Sequence, residues 1–307
     1  MDPLDPVLQS VEPTDAATFA PTASVGDNVQ VTPHAHQFGA CLRGIDLSQP
    51  LAEDTLDFVR QCWLRYQVIY FPEQPLNIAQ LERFSRQLGP LGVDPFVEPM
   101  RKHPHVLEVK RHASEAVVPF GSSWHSDWSF QAKPPAATLL FAKIVPPKGG
   151  DTHFSDGFRA YDLLPTSLQD SLEGMRAIHS ARRPYSMEGY RRSGGPLRSM
   201  VINPSEDAWD TQTHPLIRTH PESGRRALWL NAAYTIAIEG LSEAESDHLL
   251  KKLLSHMLQP KFIYPHRWQT NMLTIWDNRS VQHCAQDGYR GFERVMYRTT
   301  TVGDTPA

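Results

Sequence analysis

The chain reads as a mainly β protein with flanking helices, a double-sheet jelly roll whose helices pack on the outside. Three observations point there. Short β-type runs separated by turn signals fill most of the chain after residue 130. Amphipathic helical stretches frame them. No internal repeat suggests a solenoid or propeller.

Each element has a local reason. Residues 1–25 are rich in Pro, Asp, Thr and Ala and lack periodicity, so a flexible tail is expected there, followed by a single domain over 26–304. Residues 51–67 place Leu56, Val59, Trp63 and Tyr66 at helical spacing. The run VIYF (68–71) is a short buried-strand signal ended by Pro72. Residues 77–89 form a second amphipathic helix, with Asn77 as N-cap and Gly89 as its stop. The strand 137–145 ends at Pro146-Pro147, and Lys148-Gly149-Gly150-Asp151 makes a turn. Further strands are predicted at 227–231, 261–266, 272–277 and 295–302. A helix over 156–173 should break at Pro165, and one over 242–258 starts at Ser242 with Glu245 three residues on. Glu243, Glu245, Asp247, Lys251 and Lys252 form its solvated face. The polar, Gly-rich segment 186–200 reads as a mobile loop or active-site lid.

Composition narrows the function classes. Apolar residues make up 40% and charged residues 21% of 307, as expected for a globular enzyme-sized domain. The formal charge of −4 argues against a general nucleic-acid binder. No run of ~18 apolar residues would span a membrane, and the acidic, proline-containing start lacks the features of a secretory signal, so a cytoplasmic protein is expected. Cys41, Cys62 and Cys284 are too few and too far apart for a disulfide framework or a thiolate zinc site. Cys41 and Cys62 read as small buried apolar residues.

The chemistry concentrates in Trp124-His125-Ser126-Asp127. In an extended strand the side chains of His125 and Asp127 would point to one face and reach one metal ion together. With a second imidazole they would leave three coordination positions open, an arrangement suited to iron(II) that binds a chelating co-substrate and O2. Alone the triplet is weak, since about one His-x-Asp is expected by chance among 14 histidines. The pairs His34-x-His36 and His103-x-His105 lack a carboxylate in register and read as solvated loop histidines, and His220-x-Glu222 is treated the same way. Toward the C-terminus, His283 follows a strand and a turn, and Arg294, Met296 and Arg298 share one face of the last strand. If that face is the core, both arginines need anions; if it is solvent, neither does. Asp277 and Asn278 either hold the turn before His283 or orient its ring. Trp276 and Tyr297 read as core aromatics.

These blocks, together with GACLRGIDLSQPL (39–51), QVIYFPEQPL (67–76), PPKGGDTHFSD (146–156) and HPLIRTHPESGRRALWLN (214–231), resemble the taurine dioxygenase and 2,4-dichlorophenoxyacetate dioxygenase family of 2-oxoglutarate-dependent oxygenases. The resemblance runs over residues 29–304 in the family's order and spacing. It implies a double-stranded β-helix (cupin-like) fold and a reaction using iron(II), 2-oxoglutarate and O2. It also implies iron ligands at His125, Asp127 and His283, and co-substrate contacts from Thr152 and Arg294. Arg298 would bind the substrate's anionic group, with Asp94, Asn231 and Tyr234 around it. Trp128, Phe130, Phe154 and Tyr185 are candidate apolar walls or core aromatics. Where taurine oxygenases carry a His, a Tyr and an Asn, this chain has Asp94, Val97 and Gly121, which points away from taurine toward an aryloxyalkanoate, another sulfonate or an alkyl sulfate. The implied reaction hydroxylates the carbon beside the heteroatom and releases succinate and CO2. The family forms dimers and tetramers. The competing reading is a jelly roll that binds a ligand without catalysis.

Overall fold

The computed structural model describes residues 28–307. The predicted N-terminal tail therefore lies outside the described residues, apart from the start of the domain. The first strands are β1 (Gln30–Pro33), β2 (Ala40–Arg43), β3 (Val68–Phe71), β4 (Leu107–Arg111), β5 (Ala137–Ile144) and β6 (Thr152–Asp156). Then come β7 (Arg176–Ser180), β8 (Thr211–Pro215), β9 (Ile217–Thr219), β10 (Arg226–Leu228) and β11 (Thr235–Ile238). Four more close the molecule: β12 (Ile263–His266), β13 (Leu273–Asp277), β14 (Val281–Ala285) and β15 (Arg294–Thr300).

Seven strands form the major sheet in the order β1-β2-β3-β13-β5-β15-β4, antiparallel throughout except for β2 beside β3. Two smaller three-stranded sheets are β12-β6-β14, which packs against it, and β11-β7-β8. Leu140 of β5, Phe154 of β6, Trp276 of β13 and Met296 of β15 meet in one buried cluster, so the two layers close on a shared core. This is a jelly roll. Side-chain parity explains the other face. Leu139, Phe141, Leu273 and Ile275 point outward and pack under helices α1 (Glu53–Tyr66) and α2 (Ile78–Leu88). A second helical layer comprises α3 (Gly157–Asp162), α4 (Thr166–Leu172) and, further on, a long helix at Glu243–Met257. It covers β7, β9, β10 and β11.

Local signals placed most of these elements. Asn77 accepts from the Gln80 amide, Gln80 returns the bond to the Asn77 amide, and Ser242 with Glu245 builds the same reciprocal cap. Pro165 divides the predicted 156–173 helix into α3 and α4 because it cannot donate the interior bond. The segment 186–200 is more regular than its composition suggested. Short helix α5 (Arg182–Tyr185) leads into it, helix α6 (Met187–Arg192) and a 3-10 turn at Gly195–Leu197 run through it, and the Ser186 side chain caps α6. The Glu243–Met257 helix is thus α7.

His36 is exposed as expected, but the other histidines set aside as solvated need correction. His220 is 2% exposed, and its Nε2 lies 3.0 Å from Asp277 Oδ2. Its HPESGR turn is folded inward because Glu222 pairs with Arg279 and Arg60. His34 is half-buried, its Nε2 within hydrogen-bond distance of the Tyr70 and Tyr264 hydroxyls, and His103 pairs with Glu82 at 2.7 Å. Asp277 anchors the largest of these networks, receiving two bonds from the Arg279 guanidinium at 2.8 and 2.7 Å. Burial pushes its carboxyl up, but Arg279 and His220 outweigh that and hold it below the usual carboxylate range.

A depressed carboxylate stabilises the fold above its ordinary pKa and loses that contribution in acid. Asp277→Asn should therefore lower unfolding stability by about 3–5 kcal/mol at neutral pH, because Arg279 would be left buried with less counter-charge. The gap to wild type should narrow as pH falls below about 4. Urea titrations at several pH values measure this, and a pH-independent gap would contradict it.

Candidate active site

His125 and His283 face each other across an isolated antiparallel bridge, with reciprocal backbone bonds of 3.0 and 2.7 Å. The extended-strand reading of His125 and Asp127 is corrected here. His125 makes this single bridge, and Asp127 opens a turn that continues through Trp128 at φ +46°. His283, expected after a strand, sits in the middle of β14. The three side chains still converge. One ligand atom from each of His125, Asp127 and His283 lies within 4.8 Å of the others, and all three residues are buried. His125 Nε2 is 3.7 Å from Asp127 Oδ1, and His283 Nε2 is 3.9 Å from Asp127 Oδ2.

The surroundings prepare these atoms as ligands. His125 Nδ1 donates to the Ser123 carbonyl at 2.7 Å, which leaves the Nε2 lone pair directed at the centre. Burial pushes both imidazoles below their ordinary pKa, His283 the more strongly because His125 lies beside it. Both are thus neutral donors at neutral pH. Asp127 behaves oppositely. Burial raises its pKa, but Arg298, His283, His125 and the Thr138 hydroxyl hold it down at about 2. Two donors grip the carboxylate, Thr138 on Oδ2 at 2.6 Å and Arg298 on Oδ1 at 3.2 Å, while the Asn278 side chain accepts from the Asp127 backbone amide. Asn278 also donates to Thr138 at 2.8 Å. Of the two roles considered, Asp277 holds the turn, accepting from the Arg279 and Ser280 amides, whereas Asn278 takes another, tying the Asp127 amide to Thr138. Thr138 went unnoticed in the sequence, although it shares the inner parity of Leu140 and Ala142 on β5 and is the one polar side chain of the three.

A cavity opens from the centre, walled by His125, His283, Thr152, Trp276, Arg294 and Gly121, among others. Gly121 adopts φ +75°, and a Cβ there would come within 3.3 Å of the His125 ring, so the glycine keeps the space beside that ligand open. Both arginines of β15 point inward, which settles the face left undecided by local sequence. Their circumstances differ. Arg294 is buried, its Nε has no acceptor, and among the described residues no carboxylate lies within 4 Å of it. Its guanidinium rests 5.9 Å from the Trp268 ring centre, and the Trp268 indole donates to the Thr152 hydroxyl at 3.0 Å. Arg298 is instead held by Asp94 at 2.9 Å as well as by Asp127.

The remaining predicted residues divide. Tyr234 lines an adjoining cavity with His125, Arg298, Tyr185 and Arg198, its ring edge-on to His125 at 6.0 Å. Phe130 packs on Tyr234 at 4.9 Å, and Phe154 lies in the core beside His283. Asn231 lines neither cavity. Its amide donates to Ser129 and its oxygen accepts from the Tyr234 backbone, so it shapes the turn that presents Tyr234. Asp94 also faces the protein, accepting from the Phe96 and Val97 amides, the Trp128 indole and Arg298. Trp268 and Arg198 carried no local signal, because their meaning comes only from what they pack against.

Two neutral imidazoles and one ionised carboxylate fit a divalent iron with open positions, and an unpaired buried guanidinium in the same cavity fits a dicarboxylate beside it. Fold and site together define a non-haem iron oxygenase that uses an organic acid as co-substrate. The chain belongs to the taurine catabolism dioxygenase TauD, TfdA family, which matches residues 30–300. It is 35% identical to the alpha-ketoglutarate-dependent 2,4-dichlorophenoxyacetate dioxygenase of Cupriavidus pinatubonensis, covering 87% of this chain and 95% of that one. Identity to the alpha-ketoglutarate-dependent sulfate ester dioxygenase of Pseudomonas putida is 30%, over 93% of both. The crystal structure of a taurine dioxygenase from Burkholderia xenovorans superposes with a TM-score of 0.76 at 31% identity, over 91% of both chains. That of AAD-2, in complex with Mn(II) and N-oxalylglycine, superposes with 0.72 at 26%, over 91% of this chain and 98% of the other. The chain is accordingly a 2-oxoglutarate-dependent oxidoreductase working with iron(II) and O2. No helix among the described residues is long and apolar enough to cross a membrane.

Thr138→Val should weaken iron(II) affinity about 10- to 100-fold by freeing one Asp127 oxygen, with little change in fold. Metal titration followed by chelator competition measures this, and unchanged affinity would remove Thr138 from the support of the centre.

Proposed function

We propose that this enzyme hydroxylates a small organic anion carrying an aryl or alkyl group, an aryloxyalkanoate, alkyl sulfate or sulfonate, at the carbon beside the heteroatom. His125, Asp127 and His283 hold the iron, and Arg294 with Thr152 receives the distal carboxylate of 2-oxoglutarate. The observation that carries this reading is Arg294: a buried guanidinium with no carboxylate within 4 Å among the described residues, opening onto the cavity that His125 and His283 line. Leaving such a charge uncompensated is costly, and a carboxylate meets its planar fork with paired, charge-assisted bonds.

Iron(II), O2 and 2-oxoglutarate together supply the oxidising power for hydroxylation, releasing succinate and CO2. The protein's own part is positional. Thr138 and Arg298 fix the Asp127 oxygens, Ser123 fixes the His125 tautomer, and Trp268 orients the Thr152 hydroxyl. Phe120, Tyr185, Ile202 and Tyr234 wall the adjoining cavity and suit an apolar substrate body. Support for the substrate class comes from relatives named for 2,4-dichlorophenoxyacetate, sulfate esters and (S)-phenoxypropionate. The same reading treats residues 26–304 as one catalytic domain, acting in the cytoplasm as a homodimer or homotetramer. Three buried, unpaired thiols suit a reducing compartment.

A panel of aryloxyalkanoates, alkyl sulfates and sulfonates, scored by substrate-dependent succinate release, tests the proposal. His125→Ala and Asp127→Ala should abolish that release while the far-ultraviolet dichroism stays native. Arg294→Gln should raise the KM for 2-oxoglutarate at least about tenfold, the scale of losing a charge-assisted pair. Iron binding with no turnover of any anion would favour the non-catalytic jelly roll, and turnover surviving in His125→Ala would refute the ligand assignment.

A further inference from the structure

We infer that Arg198, and not Arg298, meets the anionic group of the substrate. The inference rests on the proposed reading that the substrate is an organic anion, and it revises the role expected for Arg298.

Arg298 lies in the right cavity, but its charge is already spent. Nη2 donates to Asp94 Oδ2 at 2.9 Å and Nη1 to Asp127 Oδ1 at 3.2 Å, and both carboxylates are 1% exposed. Asp94 cannot readily swing away. Its Oδ1 accepts from the Phe96 and Val97 amides at 2.8 and 2.9 Å, and its Oδ2 also accepts from the Trp128 indole at 3.0 Å. An anion approaching Arg298 would meet a guanidinium whose Nη1 and Nη2 are already engaged, beside the ionised Asp127 in a poorly solvated pocket where like charges repel strongly. Arg298 therefore acts as a positioning residue for Asp127.

Arg198 is the other guanidinium on the cavity that His125 and Tyr234 line. Its side chain is 6% exposed. Nη1 donates to the Val118 carbonyl at 2.8 Å and Nη2 to the Ser193 carbonyl at 2.9 Å. Both acceptors are neutral, so they orient the fork without cancelling its charge. Glu115 pairs with the guanidinium at 3.9 Å, which offsets part of its charge but lies beyond hydrogen-bond reach and so occupies none of its donors. The other Glu115 oxygen is occupied by the amide and hydroxyl of Ser199. Of the five N–H bonds of a guanidinium, two are used, which leaves donors for a carboxylate, sulfate or sulfonate oxygen. Tyr185 and Tyr234 line the same cavity, so an anion held by Arg198 would keep its apolar body against their rings.

The test uses the iron- and 2-oxoglutarate-loaded enzyme, an aryloxyacetate turned over by the wild type, and the corresponding neutral carboxamide. Wild type should prefer the acid in kcat/KM. Arg198→Gln should raise the KM for the acid about tenfold or more, change kcat less than about threefold, and leave the KM for 2-oxoglutarate unchanged. The acid-to-amide preference should collapse. Arg198→Lys, which keeps the charge and loses the fork, should retain an intermediate preference and serves if the Gln variant does not fold. Equal losses for acid and amide would mean that Arg198 merely braces the Val118 and Ser193 segments, and would overturn the inference alone. A wild type that turns over amides but no anion would overturn the proposed substrate class, and this inference with it.

Discussion

An ionised carboxylate buried in the middle of a β core is the constraint from which the architecture of this site follows. Asp127 is 1% exposed, and at neutral pH it carries its charge because the Arg298 guanidinium and the Thr138 hydroxyl compensate for the lost water. The groups around it arrive from different strands: Thr138 from β5, His283 from β14, Arg298 from β15. Asn278, just after β13, ties the Asp127 amide to Thr138. The two sheets of the jelly roll thus meet at one charge. The geometry that holds the carboxylate also aims both imidazoles at a common point.

The two arginines of β15 show how the same chemistry takes different roles within four residues. They share a face by strand parity, and both are buried. Asp94 decides between them. It lies in the segment after α2, is locked by backbone amides, and neutralises Arg298. Nothing comparable stands beside Arg294 among the described residues, so the structure leaves that guanidinium for a small-molecule anion. Arg294 and Arg298 occupy inward positions of one strand on either side of Met296, the first with no carboxylate within 4 Å among the described residues, the second bonded to Asp127.

Much of this could be read along the chain. The caps at Asn77 and Ser242, the break at Pro165 and the alternation of β5 and β13 are local, and local signals located them within a few residues. Buried polar networks were less legible. His220 in its HPESGR turn looks solvated until Glu222 is seen to fold against Arg279 and Arg60. Segment 186–200 looks irregular, yet Ser186 caps a short helix within it. The first outcome depends on partners more than fifty residues away, which no window of the sequence contains, and the second on a local cap that the polar composition masked.

The sequence by itself determined which side chains could bind metal and anions, because His125, Asp127, His283, Thr152 and Arg294 stand in motifs whose order and spacing are specific. It also determined the fold class, since strand periodicity and turn residues act over short range. Only the tertiary structure decided which charges remain available. Whether a guanidinium recognises a ligand or braces a neighbour depends on the carboxylates within a few ångströms, and folding brings those together from distant parts of the chain.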